Sequence, residues 1–424
     1  MTNQSEHNTF DAIVVGSGIS GGWAAKELTE GGLKTLVLER GRNVEHIKDY
    51  PTAFKQPWEF KHKSHLTNEE LKDYPVQKSH CDATNKHFYV KDTEHPYVQV
   101  NPFRWIRGYQ VGGRSLTWGR QTYRMSDMDF EANKNDGHGV DWPIRYKDLE
   151  KWYDYVEDYV GISGTSEGLP HLPDGIFQPA IPMNAVEKHL KNQMSKVFSD
   201  RILINGRVAN LTQHKNGRGP CQYRNLCSRG CPFSGYFSSN SSTLLDAHNS
   251  GNLTLRANSI VKEVIYDNLE KKATGVVVID TETKEETRYY ARIIFLNASA
   301  IATAAVLLNS ASEAFPNGLG NSSAQVGHNL MDHVVNEGTY GTFEGLKDKY
   351  YEGRSPGTIY VPRFQNLKGS NEKVDFIRGY GIQGKGERAN WQSRQTSGFG
   401  VELKEQLSKP GNCLLYTSEA ADDE

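Results

Sequence analysis

The chain has 424 residues, with 49 Lys and Arg against 51 Asp and Glu and a formal net charge of −2. That length allows two or three domains, and a charge so near neutrality gives no electrostatic reason to expect nucleic acid or an acidic membrane surface as a partner. Five cysteines are too few, and odd in number, for a secreted disulfide scaffold, and no apolar run is long enough to span a membrane directly.

The N-terminus MTNQSEHNTF has neither the basic nor the apolar part of a cleavable export signal. The first readable element follows it. Ala12 to Val15 is a short apolar run, as expected of a parallel strand buried on both faces. Gly16, Gly18 and Gly21 then form G-x-G-x-x-G, a helix is expected from about Gly21 to Glu30, and the glycine pair at 31 and 32 ends it. KTLVL makes a second strand and Glu39 closes it. Gly16 permits the strand-to-helix turn, Gly18 lets backbone approach a pyrophosphate, and Gly21 lets the helix pack on the strand. The free N–H groups at the helix start suit phosphates. Glu39 is placed to accept hydrogen bonds from ribose hydroxyls, which disfavours a 2′-phosphate and hence NADP. Strand, glycines, helix, strand and acid in this order are a dinucleotide-binding fingerprint. They do not separate FAD from NAD.

Further along, RGYQVGGRSLTWG (107–119) is a glycine-rich loop, and DWPIRYKDLEKWYDYVEDYV (141–160) reads as a helix with its entry. Trp152, Tyr155, Val156 and Tyr159 share one face of that helix, so core packing is expected there. Residues 253–310 read as a β-meander, a strand from Ile293 to Leu296, a turn NASA (297–300) and a helix. VGHNLMDH occupies 326–333.

In that order these segments resemble the glucose–methanol–choline (GMC) oxidoreductases, FAD enzymes that oxidise alcohols and often sugars. The nearest likeness is to the bacterial sugar dehydrogenase and pyranose oxidase branch. The resemblance covers most of residues 10–340. It implies an α/β fold with a Rossmann-type FAD-binding domain and an α+β substrate domain built on an antiparallel sheet. It also implies that Gly112, Gly113, Ser115, Leu116, Thr117 and Trp118 line the flavin ring and ribityl chain, because backbone N–H groups must come close to flavin oxygens. Val261 stands where the family's backbone contacts adenine. Some pyranose oxidases attach FAD to a His at the position of Thr117, so non-covalent FAD is expected here. The turn after the late strand usually carries Gly in the family, whereas this chain has Asn297, Ala298 and Ser299. With Ser17, Ser20, Arg40, Arg107 and Asn297 added to the fingerprint residues, the expected FAD set is complete.

Cys221, Cys227 and Cys231 are spaced C-x5-C-x3-C-P. A disulfide would leave one thiol over, and zinc would need a fourth ligand, for which His214 and His248 are nearest. The flavoprotein subunits of some bacterial sugar dehydrogenases carry a trio of this spacing on a [3Fe–4S] cluster, so the resemblance favours iron–sulfur ligands. Zinc and the absence of any metal remain the alternatives. Cys81 reads as structural.

The family's catalytic His lies near the C-terminus, and no His follows His333 in this chain. The catalytic base is therefore unassigned, with His333 as a weak candidate near the site. Residues 341–411 read as the opening strands of a truncated substrate domain, after an FAD-binding domain over 1–340 with inserted segments at 46–100 and 132–215. Residues 412–424 show no amphipathic period and are expected to be a non-native tail that closes no sheet. The expected activity is oxidation of a sugar or alcohol CH–OH group with hydride transfer to flavin N5. Electrons would pass to an external acceptor such as a cytochrome, by way of the cluster, with a small partner subunit. The rivals are an oxygen-using oxidase, a GMC-type lyase and a catalytically incompetent flavoprotein. The expected location is the cytoplasm by default, or the periplasm if a partner subunit carries the chain out.

Overall fold

The computed structural model describes residues 8–332, 338–343, 358–367, 374–388, 398–408 and 413–421. Its strands in chain order are β1 (Thr9–Val15), β2 (Thr35–Leu38), β3 (Ile162–Gly164), β4 (Phe177–Pro179), β5 (Ile204–Asn205), β6 (Leu253–Arg256), β7 (Ser259–Asp267), β8 (Lys272–Asp280), β9 (Glu286–Leu296), β10 (Gly338–Phe343), β11 (Ile359–Val361), β12 (Tyr380–Arg388) and β13 (Cys413–Ala421). The chain divides into two compact units. One comprises Met1–Trp118, Ser228–Pro232 and Phe237–Leu330, and the other Gly119–Cys227, Phe233–Tyr236 and Met331–Glu424.

The first unit is built on a six-stranded sheet in the order β6-β2-β1-β9-β8-β7. The strands from β6 to β9 run parallel, with Val14 opposite both Val37 and Phe295. β7, β8 and β9 form the antiparallel meander that the sequence leads one to expect. Ala12, Ile13 and Val14 are wholly buried, as a strand covered on both faces requires. Ile13, Val15, Leu36 and Leu38 join Val276, Val278 and Val306 in one core cluster. Val14 and Val37 pack with Ala25 and Leu244 in another. Each such aliphatic side chain contributes about 1.5–3 kcal/mol by leaving water, so the two clusters hold the ends of β1 and β2 in place. Those ends carry the glycine turn and Glu39.

The second unit has a five-stranded antiparallel sheet in the order β10-β13-β12-β11-β5, and a short parallel pair, β3 with β4. Residues 119–227 fall in the second unit. β5 pairs with β11, with Asn205 opposite Ile359, and Met183 and Leu203 pack with Ile359, Val361 and Phe364. The burial of those side chains ties the segment to the second sheet. The expectation that the tail closes no sheet is corrected, since β13 lies between β10 and β12, with Tyr416 opposite Tyr340 and Lys385. Backbone ladder hydrogen bonds need no amphipathic period, and Leu414, Leu415, Tyr416 and Thr417 suit a strand.

A second correction concerns the helix Tyr146–Val160. Trp152, Tyr155 and Val156 are 55%, 41% and 37% exposed, whereas Glu157 and Val160 are buried. Charge pairing decides this. The guanidinium of buried Arg124 donates from Nη2 to Glu157 Oε2 at 2.5 Å and from Nε to Oε1 at 3.0 Å. A buried cation has to be paired, and Glu157 is the residue that turns inward. Among the described residues no helix is long and apolar enough to cross a membrane.

Candidate functional site

β1 ends at Val15 and the chain turns sharply. Gly16 has φ +98°, and a Cβ on it would stand 2.4 Å from Asn297 O. A Cβ on Gly21 would stand 1.9 Å from Gly16 O. Both glycines are therefore demanded by backbone packing. Gly18 differs, since a Cβ there would meet nothing within 4 Å. Its backbone faces open space that a ligand can approach. Gly18 is also the N-cap of the helix Ile19–Glu30, makes no side-chain capping bond, and is followed by no acid in the first turn. The positive end of the helix dipole is left available to an anion.

Glu39, at the end of β2, is only 6% exposed. Its Oε2 accepts from Ser17 Oγ at 2.6 Å and from Ser17 N at 3.1 Å, and its Oε1 accepts from Gly41 N at 2.9 Å. Burial pushes its pKa up, and the hydrogen bonds from Ser17 and Gly41 pull against that.

These residues open onto a cavity of about 800 Å³, within the usual range for small-molecule sites. Of the expected FAD set, Gly16, Ser17, Gly18, Ser20, Glu39, Arg40, Arg107, Gly113, Ser115, Val261 and Asn297 line it. The lining also includes Tyr109, Arg114, Lys262 and, from the turn and helix after β9, Ser299, Ile301 and Ala302. Four cations, Arg40, Arg107, Arg114 and Lys262, line it with one carboxylate, Glu39, and Lys262 is itself paired with Glu286 at 2.7 Å. Arg40 lies over the Tyr109 ring, 3.8 Å from its centroid. Arg107 is paired with buried Asp92 at 3.1 Å. Arg40 Nε, Arg107 Nε and Asn297 Oδ1 are buried without a hydrogen-bond partner among the described residues. Such orphaned polar groups are costly unless something satisfies them.

Five members of the expected set do not line this cavity. Gly21 does its work in helix packing. Gly112 has φ +87° and lies where a Cβ would be 1.7 Å from Asn240 Oδ1. Leu116 is wholly buried with Val44, Tyr50, Ala53 and Phe88, so it belongs to a core cluster. Thr117 is not among the lining residues, and Trp118 donates from Nε1 to Phe237 O at 2.9 Å. Sequence reading missed Tyr109 and Lys262. The only available signal was their adjacency to expected residues, Tyr109 within RGY and Lys262 next to Val261.

The structure lends the cysteine trio no support as a metal site. Among the described residues no group of three or more His, Cys, Asp or Glu side chains is placed to hold a metal ion. Cys221, Cys227 and Cys231 are each half-buried. The amide of Cys221 is fixed to Leu211 O at 2.8 Å, and Cys231 stands beside Tyr50. Cys81 is buried, and that burial pushes its thiol up to about 12, in keeping with a structural role. His333 lies outside the described residues.

The sequence profile of the GMC oxidoreductases matches residues 10–335. The chain belongs to this family. Its relatives include 2-methyl-1,2-propanediol dehydrogenase of Mycolicibacterium austroafricanum, 26% identical over 88% of this chain and 63% of the relative. The fructose dehydrogenase large subunit of Gluconobacter japonicus is 23% identical over 96% of this chain and 73% of the relative. The gluconate 2-dehydrogenase flavoprotein of Pantoea cypripedii is 26% identical over 67% of this chain and 50% of the relative. The chain therefore spans about half to three quarters of the length of these relatives. The crystal structure of pyridoxine 4-oxidase from Mesorbium loti shares the fold, with a TM-score of 0.52 at 14% identity over 96% of this chain and 71% of that one.

GMC oxidoreductases typically bind FAD, and the residues present fit that cofactor. The uncapped helix start at Gly18 and the arginines suit a pyrophosphate. Glu39 suits ribose hydroxyls, and the orphaned atoms of Arg40, Arg107 and Asn297 supply donors and an acceptor.

Proposed function

We propose that this chain carries the FAD-binding part of a dehydrogenase acting on the CH–OH group of a sugar or other alcohol. One observation carries the reading. A single cavity joins an open glycine at an uncapped helix N-terminus, a buried ribose-binding carboxylate and four cations. FAD, when bound, supplies the two-electron acceptor for hydride from the substrate carbon. Gly16 and Gly18 admit its pyrophosphate, Arg40 and Arg107 balance the negative charge, and Glu39 holds the adenosine ribose. Thr117 offers no imidazole for the attachment that some pyranose oxidases make at this position, which supports a non-covalently held cofactor. The residue that takes the hydroxyl proton is not assigned.

The sugar preference is supported by the names of the fructose and gluconate dehydrogenase relatives. The fructose relative is by name a large subunit, which supports assembly with a smaller partner and transfer of electrons to an acceptor outside this chain. The test is a calorimetric titration of the purified chain with FAD and, separately, NAD. The expected result is one FAD per chain, a flavin absorbance spectrum and no saturable NAD binding. NAD bound in preference to FAD would overturn the reading. With FAD loaded, bleaching of the flavin by a panel of sugars and simple alcohols without oxygen identifies the substrate class. Re-oxidation by dye but not by oxygen distinguishes dehydrogenase from oxidase.

A further inference from the structure

Ser239 and Asn240 do not themselves line the cavity, yet both glycine loops are fastened to them. Ser239 is wholly buried. Its amide donates to Ser115 Oγ at 3.0 Å, and its own hydroxyl donates to Gly18 O at 3.0 Å. Ser115 Oγ in turn donates to Gly112 O at 2.5 Å, and Gly112 N donates to Ser17 Oγ at 3.0 Å. Ser17 and Gly18 are neighbours in the chain, so the bonds close a ring. The ring runs from the fingerprint turn through the 112–115 loop to Ser239 and back to the fingerprint turn. Asn240 adds a second tie, with Nδ2 donating to Val111 O at 3.1 Å and to Val44 O at 2.8 Å. The segment that supplies these ties is itself stiffened, since Ser238 Oγ and Ser241 Oγ are 2.8 Å apart and Ser242 Oγ donates to Ser238 O at 2.6 Å.

We infer that Ser239 and Asn240 are positioning residues for the cofactor site, a brace that sets the spacing between the fingerprint turn and the 112–115 loop. The inference rests on the FAD reading above. The two loops are far apart in sequence and have no ladder hydrogen bonds between them. Gly113 and Ser115 on one side and Gly18 on the other both face the cavity. A cofactor that must contact both loops at once binds best where their separation is already set, because ordering them on binding lowers affinity. A bonded network of this kind also loses more than one bond's worth when one member is removed.

The test compares Ser239→Ala with Thr243→Val in the full chain. Thr243 is an equally buried neighbour in the same segment and lies outside the ring, so Thr243→Val controls for packing damage. Three quantities are read: the FAD dissociation constant, the position and fine structure of the flavin absorbance band, and the melting temperature of the FAD-free chain. Ser239→Ala is expected to weaken FAD binding about tenfold, equivalent to about 1.4 kcal/mol, and to blur the flavin band. Thr243→Val is expected to leave both unchanged. Ser239→Cys, which keeps size and a weak donor, is expected to recover part of the affinity. Wild-type affinity and spectrum in Ser239→Ala would overturn the brace while leaving the FAD reading intact. Equal losses in both variants, in proportion to their melting temperatures, would overturn it as well. A wild-type chain that takes up no FAD would overturn both readings.

Discussion

Ser299 offers the sharpest check on the backbone of the site. It sits in the turn after β9, with φ +71° and ψ 163°. That region of backbone space is close to glycine-only, and a side chain held there costs about 1–3 kcal/mol. The hydroxyl recovers none of this. It makes no capping hydrogen bond to the helix Ala300–Asn309, and the residue is exposed. Replacing Ser299 with Gly removes the strain but gives the unfolded chain more freedom, which costs about 0.5–1 kcal/mol. The net expectation is a gain of about 1 kcal/mol, taking the middle of both ranges. For a domain of 150–250 residues that raises the melting temperature by about 2–4 °C. Urea unfolding followed by tryptophan fluorescence should show a higher midpoint with an unchanged slope. Ala298→Gly, one residue earlier at an ordinary φ, should move the midpoint the other way. A Ser299→Gly midpoint at or below wild type would refute the strain assignment.

Other expectations follow from the same geometry. Gly16→Ala places a Cβ 2.4 Å from Asn297 O at φ +98°. It should destabilise by several kcal/mol, seen as insoluble expression or a large fall in urea midpoint. Burial raises the pKa of folded Glu39 above its ordinary 4.5. The FAD-free folded state therefore keeps a proton that the unfolded chain releases. This group's contribution is full below 4.5 and is lost as pH rises through the raised folded value. Glu39→Gln cannot ionise, so its stability should not fall over that window. Stability curves of both proteins against pH check this, and identical slopes would disprove it. Arg124→Met removes the ionic partner of Glu157, which is 7% exposed and keeps the Ile176 amide at 3.0 Å. The cost should be about 3–5 kcal/mol, and Arg124→Met with Glu157→Leu should recover much of it in a double-mutant cycle.

The FAD half of the molecule was legible because its signals are local. Ala12 to Val15, the three glycines and Glu39 each answer a constraint set within about 30 residues of chain, and the cavity gathers Val15, Gly16, Gly18 and Glu39. The sequence alone therefore determined the fold class, the fingerprint turn and the family. The rest depends on partners distant along the chain. The pull of Arg124 on Glu157 turned an aromatic face outward that period alone had assigned to the core. The pairing of Asn205 with Ile359 moved a whole segment to the second sheet. Ser239 and Asn240 carry no local signal, and only the fold sets them against Gly18, Ser115 and Val111. Buried charges and backbone polar groups must find partners wherever the chain brings them, and only the tertiary structure decides which partners those are.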